Sequence, residues 1–196
     1  MDKDDRNTTS LTSANPTVYL QAIAKGSKYQ ITLKDASGKT IEGKQIVVKF
    51  NGVTYNANTD AKGIATLTLK ATKTGSLNAE ISFAGDDAYK ASSATATVKI
   101  TKEATKITAK KKTFKAKAKS KKYTITLKSK SGKKLNNVKV TLKVKGKTYK
   151  ATVKKGKTTF NLKKLTKKGK HTATIKFAGD KYYNKVTTTV KITVKK

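Results

Sequence analysis

Phe83–Tyr89 reads FAGDDAY and Phe177–Tyr183 reads FAGDKYY, the same turn met twice, 94 residues apart (177 − 83). In each copy an alternating apolar run, ISF or IKF, leads into the motif and a Gly-Asp pair follows. Glycine tolerates backbone angles that other residues avoid, and aspartate accepts hydrogen bonds from its own main chain. Gly85-Asp86 and Gly179-Asp180 therefore predict a bend. Four residues after each glycine stands Tyr89 or Tyr183, suited to a ring packed under the bend with its hydroxyl bonded to the main chain. A motif repeated at this period predicts two copies of one structural unit.

Outward from the motif the chain alternates with period two. In the first copy Tyr29, Ile31 and Leu33 alternate with Gln30 and Thr32, the pattern of a half-buried strand. Val18, Leu20 and Ala22 suggest a strand before it. Ile46, Val48 and Phe50 form the next, and Asn51-Gly52 is a strong hairpin signal. After the turn TDAKG (59–63) come Ala65, Leu67 and Leu69, then Ala79, Ile81 and Phe83, then Ala96, Val98 and Ile100. The second copy repeats these with Tyr123, Ile125 and Leu127, with Val140, Leu142 and Val144, and with Ala173, Ile175 and Phe177. Nothing has a helical period, so the expectation is all-β with essentially no helix. Residues 1–16 are polar and without periodicity, and predict a flexible leader. The expected units are residues 17–101 and 102–196.

The charge is unevenly shared. Residues 102–196 hold 33 lysines and two acids, Glu103 and Asp180, a net of +31. Residues 1–101 hold the remaining 13 basic and 9 acidic residues, a net of +4, and together these make the chain's +35. Lysines 110, 111, 112, 115, 117, 119, 121 and 122 crowd one stretch (Lys110, Lys111, Lys112, Lys115, Lys117, Lys119, Lys121, Lys122). Lys154, Lys155, Lys157, Lys163, Lys164, Lys167, Lys168 and Lys170 crowd another. Such a field concentrates anionic partners, and binding of this kind weakens steeply with salt. Lysine is a flexible point charge where arginine is a planar fork, so an all-lysine field argues for loose attraction over exact recognition. The plainer account of the same lysines is a solvated surface that resists aggregation.

The doubled pattern resembles the bacterial-type immunoglobulin-like repeats of adhesin-like surface proteins of archaea and bacteria. The residues that carry the resemblance are TDAKG with Ile64-Ala65 after it, matching a T-D-x-x-G pattern, and F-A-G-D-x-x-Y in both copies. It covers roughly residues 17–196. The second copy departs from it with TVKKG (152–156), keeping only the glycine. The resemblance implies two tandem sandwiches of about seven strands each, with Gly85, Asp86, Tyr89, Gly179, Asp180 and Tyr183 as structural corners. It also implies a non-enzymatic, cell-surface module within a longer secreted chain of further repeats.

Other chemistry has few parts. With no cysteine and one histidine, His171, thiol chemistry, zinc sites and nucleophilic triads are excluded. Asp60, Asp86 and Asp87 are better read as turn residues than as calcium ligands, because the second copy keeps only Asp180. A Lys–Asn isopeptide bond needs a buried acid and a buried lysine, and neither is expected in the core. No cofactor is expected. The aromatic residues Tyr123, Tyr149, Phe160 and Phe177 fall at inward positions, which leaves a single-stranded nucleic acid nothing to stack on. Three functions remain open. The first is electrostatic association with an anionic cell-wall or envelope polymer or a host surface, the second a stalk whose charge serves solubility. The third, least supported, is non-specific nucleic-acid binding, which would gather the charge on one grooved face.

Overall fold

The computed structural model describes residues 4–196, and every count below is of these described residues. The chain divides into two compact units, residues 1–101 and 102–196. In the first, the elements in chain order are β1 (Thr9–Ser13), β2 (Thr17–Tyr19), α1 (Leu20–Lys25), β3 (Ser27–Asp35), β4 (Gln45–Phe50), β5 (Val53–Asn58), β6 (Ile64–Leu69), β7 (Gly75–Phe83) and β8 (Ser92–Thr101). They form a three-stranded sheet, β1-β3-β6, and a five-stranded sheet, β2-β8-β7-β4-β5. The second unit has β9 (Thr105–Thr108), β10 (Lys112–Lys115), β11 (Lys122–Ser129), β12 (Val138–Val144), β13 (Lys147–Val153), β14 (Lys157–Asn161), β15 (Gly169–Phe177) and β16 (Val186–Lys195). Its sheets are β14-β11-β9 and β10-β16-β15-β12-β13. Each unit is an immunoglobulin-like sandwich. The first strand of each is split between the two sheets: β1 runs antiparallel to β3, whereas β2 runs parallel to β8. Counted as one, the split strand leaves seven per unit.

The period-two pattern sets what is buried. Along β11 the inward residues Tyr123, Ile125 and Leu127 are buried while Lys122, Thr124 and Lys128 are exposed. Facing them from the other sheet, Val140, Leu142, Val144, Ala173, Ile175, Phe177, Ile192 and Val194 complete one core. The Asn51-Gly52 hairpin closes β4 onto β5 with both residues at positive φ, 53° and 74°. Lys145-Gly146 does the same between β12 and β13 at 50° and 74°. Both are turns whose twist matches that of the paired strands.

At the corners, Asp86 Oδ1 accepts from the amides of Ala88 and Tyr89, each at 2.9 Å. Asp180 Oδ1 accepts from Tyr182 and Tyr183 at 2.9 and 2.8 Å. A Cβ on Gly179 would stand 2.9 Å from the Lys185 nitrogen and 3.0 Å from the Tyr183 oxygen, and φ there is +84°. Two other tyrosines bond the main chain through their hydroxyls, Tyr29 to Ala14 O at 2.9 Å and Tyr123 to Lys110 O at 2.7 Å.

Two expectations are corrected. The predicted leader, residues 1–16, contains a strand: β1 lies along β3 with Leu11 opposite Leu33, and both are buried. Upstream of it Asn7 pairs with the corner, its amide on Ala88 O and its carbonyl under Lys90 N. The strand expected through Leu20 and Ala22 ends at Tyr19. Leu20 and Ile23 are buried at the spacing of one helical turn, and Gly26 ends α1 with φ at +120°. Six residues are too few for a helical period to stand out in sequence.

Gly179→Ala forces a β-carbon against main-chain atoms at a positive φ. The expected loss is about 1–3 kcal/mol, measured as a shift of the urea midpoint, and an unchanged midpoint would show that the corner is not constrained.

Candidate functional site

Of the 33 lysines in the second unit, 32 of those described are exposed. They occupy the outer faces of both sheets and the connecting loops. How a sandwich carries so much like charge is visible in the strand register. On the outer face of β13-β12-β15-β16, Lys139 faces Thr152, Lys150 faces Thr141, and Lys143 faces Thr148. Across the next ladder Lys176 faces Thr141 and Lys143 faces Thr174. Across the last, Lys176 faces Thr187, Lys191 faces Thr172, Lys170 faces Thr193, and Thr174 faces Thr189. Among these pairs no lysine opposes another, which avoids the cost of like charges set directly across a ladder. Direct oppositions, Lys106 with Lys128 and Lys115 with Lys195, occur at the edge strands β9 and β10. In the first unit the same face has Lys49 opposite Glu80. In the second that pair becomes Lys143 and Thr174.

The two acids of the second unit are occupied in holding turns. Glu103 is buried, although no acid was expected in the core. Its main chain pairs with the corner, Glu103 N donating to Tyr182 O and Asn184 N to Glu103 O, each at 2.9 Å. Its Oε1 accepts from Ser131 N at 2.9 Å. Burial raises the pKa of this carboxyl, but the bonds from Ser131 and Ser129 and the nearby Lys133 charge outweigh it and hold it below its ordinary value of 4.5. In the first unit the corresponding turn is held by Asp35, which accepts from Ser37 N and Lys39 N. The carboxylate has moved from the turn itself to a neighbouring segment.

The lysines singled out in the sequence divide by position. Lys121 is corrected: it is 1% exposed and unavailable to a polymer. Its ammonium donates to Ala116 O at 3.1 Å and Ala118 O at 2.9 Å, fastening the loop that replaces α1. Lys111 and Lys112 come together with Lys170 and Lys191 around a hollow of about 250 Å³ that also takes in Thr113 and Thr193. Lys112 additionally donates to Lys122 O at 3.0 Å. Lys154 and Lys155 sit on a turn tied to Asn137 and Asn136. Lys110, Lys117, Lys119, Lys163 and Lys168 are exposed, as is Lys115, which lies opposite Lys195. Lys164 and Lys167 meet Lys145 and Lys147, which sequence reading passed over, beside Tyr149. Tyr149, expected in the core, is only half-buried, while Tyr123, Phe160 and Phe177 are buried.

No known family and no curated protein matches the chain. Solved structures do. The chain is similar to a Ca²⁺-stabilised adhesin with which an Antarctic bacterium binds ice, at 16% identity and TM-score 0.37, over 98% of this chain and 50% of that one. It is similar to invasin, a bacterial integrin-binding protein, at 20% identity and TM-score 0.44, over 95% of this chain and 39% of that one. The titin domains Z1Z2, solved with telethonin, match at 9% identity and TM-score 0.50 over 95% and 96%. The chain thus spans half or less of the two bacterial structures. At 9% identity the likeness to the titin domains bears on the fold alone. Among the described residues no helix is long and apolar enough to cross a membrane.

Two predictions come from this arrangement. Glu103→Ala leaves the Ser131 amide without its acceptor and costs about 1–3 kcal/mol, read by urea denaturation. Because Glu103 has a depressed folded pKa, its contribution is present above 4.5 and is lost as pH falls through the folded value. The wild type therefore loses this increment on acidification and Glu103→Ala does not; parallel pH profiles would count against it. Separately, raising salt from about 20 to about 300 mM shortens the Debye length from tens of Å to under 10 Å and relieves the lysine repulsion. Calorimetry of the whole chain is expected to show a higher melting temperature for the transition that Gly179→Ala shifts.

Proposed function

We propose that the chain is a non-enzymatic, surface-exposed, adhesin-like module in which residues 1–101 act as a spacer. Residues 102–196 associate electrostatically with an anionic polymer of a cell envelope. The observation that carries this is the exposure of 32 lysines against two carboxylates that are both committed to turns. A surface so unbalanced raises a positive potential in every direction, and a flexible polyanion can follow it without a fixed docking geometry. The corner motifs and the T-D-x-x-G turn support the adhesin-like reading of the fold.

A purely structural stalk is the second reading. The Lys–Thr alternation favours it, since a sheet face patterned to minimise repulsion also resists edge and face association. Nucleic acid is disfavoured by the spread of lysines over both sheets and by the burial of Tyr123, Phe160 and Phe177.

The deciding experiment sediments the intact chain with isolated anionic cell-wall material. A variant with Lys139, Lys143, Lys150, Lys176 and Lys191 changed to glutamine runs beside it. Pelleting at about 50 mM salt, release at about 300 mM, and a shallower salt dependence for the variant are expected. If the wild type stays in the supernatant at low salt, the stalk reading stands in its place.

A further inference from the structure

Two hollows in the lysine field gather four lysines each, and one of them lies between two fixed walls. The hairpin between β12 and β13 carries Lys145 and Lys147, and the loop between β14 and β15 carries Lys164 and Lys167. These four, with Tyr149 and Leu165, line a hollow of about 170 Å³. Both walls are fixed from below. The hairpin is a tight two-residue turn with Lys145 and Gly146 at positive φ. The loop is pinned by buried Leu162 and Leu165, whose amides donate to Lys121 O at 2.8 Å and Leu162 O at 2.9 Å. At its far end the His171 ring nitrogen lies 2.6 Å from Lys167 O.

The ammonium groups are brought together rather than spread apart. The neighbouring Lys167 holds Lys145 below its ordinary pKa, and Lys164 does the same to Lys147. The outer sheet face sets threonine between its lysines. Here two like-charged pairs share one hollow and no carboxylate lines it. The first unit has Asn51 and Val53 at the hairpin positions that match Lys145 and Lys147, so its corresponding hairpin carries no charge.

We propose that Lys145, Lys147, Lys164 and Lys167 form a discrete site for a compact multivalent oxyanion of the phosphate type. Resting on the polyanion reading above, it would be the point where a phosphate-bearing polymer is gripped rather than merely attracted. An oxyanion between the two pairs replaces ammonium–ammonium repulsion with four charge-assisted contacts, and lysine suits this as a point-charge phosphate binder. The same site takes a free phosphate group or one carried on a polymer, since the recognised chemistry is shared.

The test is an NMR titration of the ¹⁵N-labelled whole chain with inorganic pyrophosphate, with chloride held constant. Saturable shifts are expected first at the backbone amides of Gly146 and Thr166. K145Q/K164Q is expected to weaken binding about tenfold or more, and K117Q/K119Q, which removes the same charge from an exposed loop, about threefold or less. Equal weakening by the two variants, or no saturable shift at Gly146 and Thr166, overturns the site. Either result leaves the sedimentation test free to report on the diffuse field. If pyrophosphate binds as expected, adding a polyphosphate chain at equal phosphate concentration separates the sources. Tighter binding of the chain identifies a polymer-borne phosphate, and equal binding a free one.

Discussion

Like-charge repulsion is the constraint to which the second unit is built. Thirty-three lysines and two acids share 95 residues (196 − 101), and burial of the inward faces must hold the sandwich together against that field. Two features lessen the opposition. The apolar core is continuous between the sheets, from Tyr123 and Leu127 to Ile175 and Ile192. On the outer face of the large sheet, Lys139, Lys143, Lys150, Lys170, Lys176 and Lys191 each face threonine across the ladder. Threonine also has the branched side chain that strands favour, so the spacer residue serves the strand itself.

With so few carboxylates, where they stand matters. Asp180 and Glu103 each accept main-chain amides at a turn, and Glu103 sits on a segment whose backbone pairs with the corner that Asp180 holds. In the first unit the same turns are held by Asp86 and Asp35, and the corner also has Lys44 with its ammonium 2.5 Å from Asp86 Oδ2. That lysine and the hydrogen bonds of Ala88 and Tyr89 hold the Asp86 carboxyl below its usual range. The second unit has Val138 where the first has Lys44. Its corner aspartate is left with amide partners, and its surface lysines remain unneutralised.

Much of this was legible in the sequence where one residue dictates one conformation. Asn51-Gly52 could hardly be anything but a hairpin, and the Gly-Asp corners announced themselves by repetition. What escaped depended on tertiary position. Thr9–Ser13 alternates over only five residues, and its strand exists because β3 offers an edge and a place for Leu11. The helix α1 is one and a half turns. In the second unit the register with the last strand places Phe114 where the first has Val18 (114 − 18 = 96), while Tyr123 matches Tyr29 at 94. The two residues lost between them remove the helix. Lys121 is then drawn inward to satisfy the carbonyls of the loop left behind, which a count of lysines could not reveal. The convergence of Lys145 and Lys147 with Lys164 and Lys167 is likewise invisible in sequence, since about twenty residues separate the hairpin from the loop.

The contrast between the patterned sheet and the crowded hollow bears on how the field works. If solubility alone had shaped the surface, every lysine would gain by standing apart from its neighbours, as Lys139, Lys143, Lys150 and Lys176 do across their ladders. Crowding at the edge strands is inexpensive, because side chains there can splay into solvent. In the pinned hairpin-and-loop hollow, by contrast, Lys145 and Lys147 are held below their ordinary basicity by Lys167 and Lys164. An arrangement unfavourable in the free protein and favourable around an anion is the usual signature of a site preorganised for charge. On the proposed reading, the dispersed lysines govern how readily a polyanion arrives, through a long-range potential that salt screens. The hollow governs how long it stays, through short contacts that salt screens less. The two contributions therefore separate in the salt dependence of association and dissociation rates, since association carries most of the slope when the field does the steering.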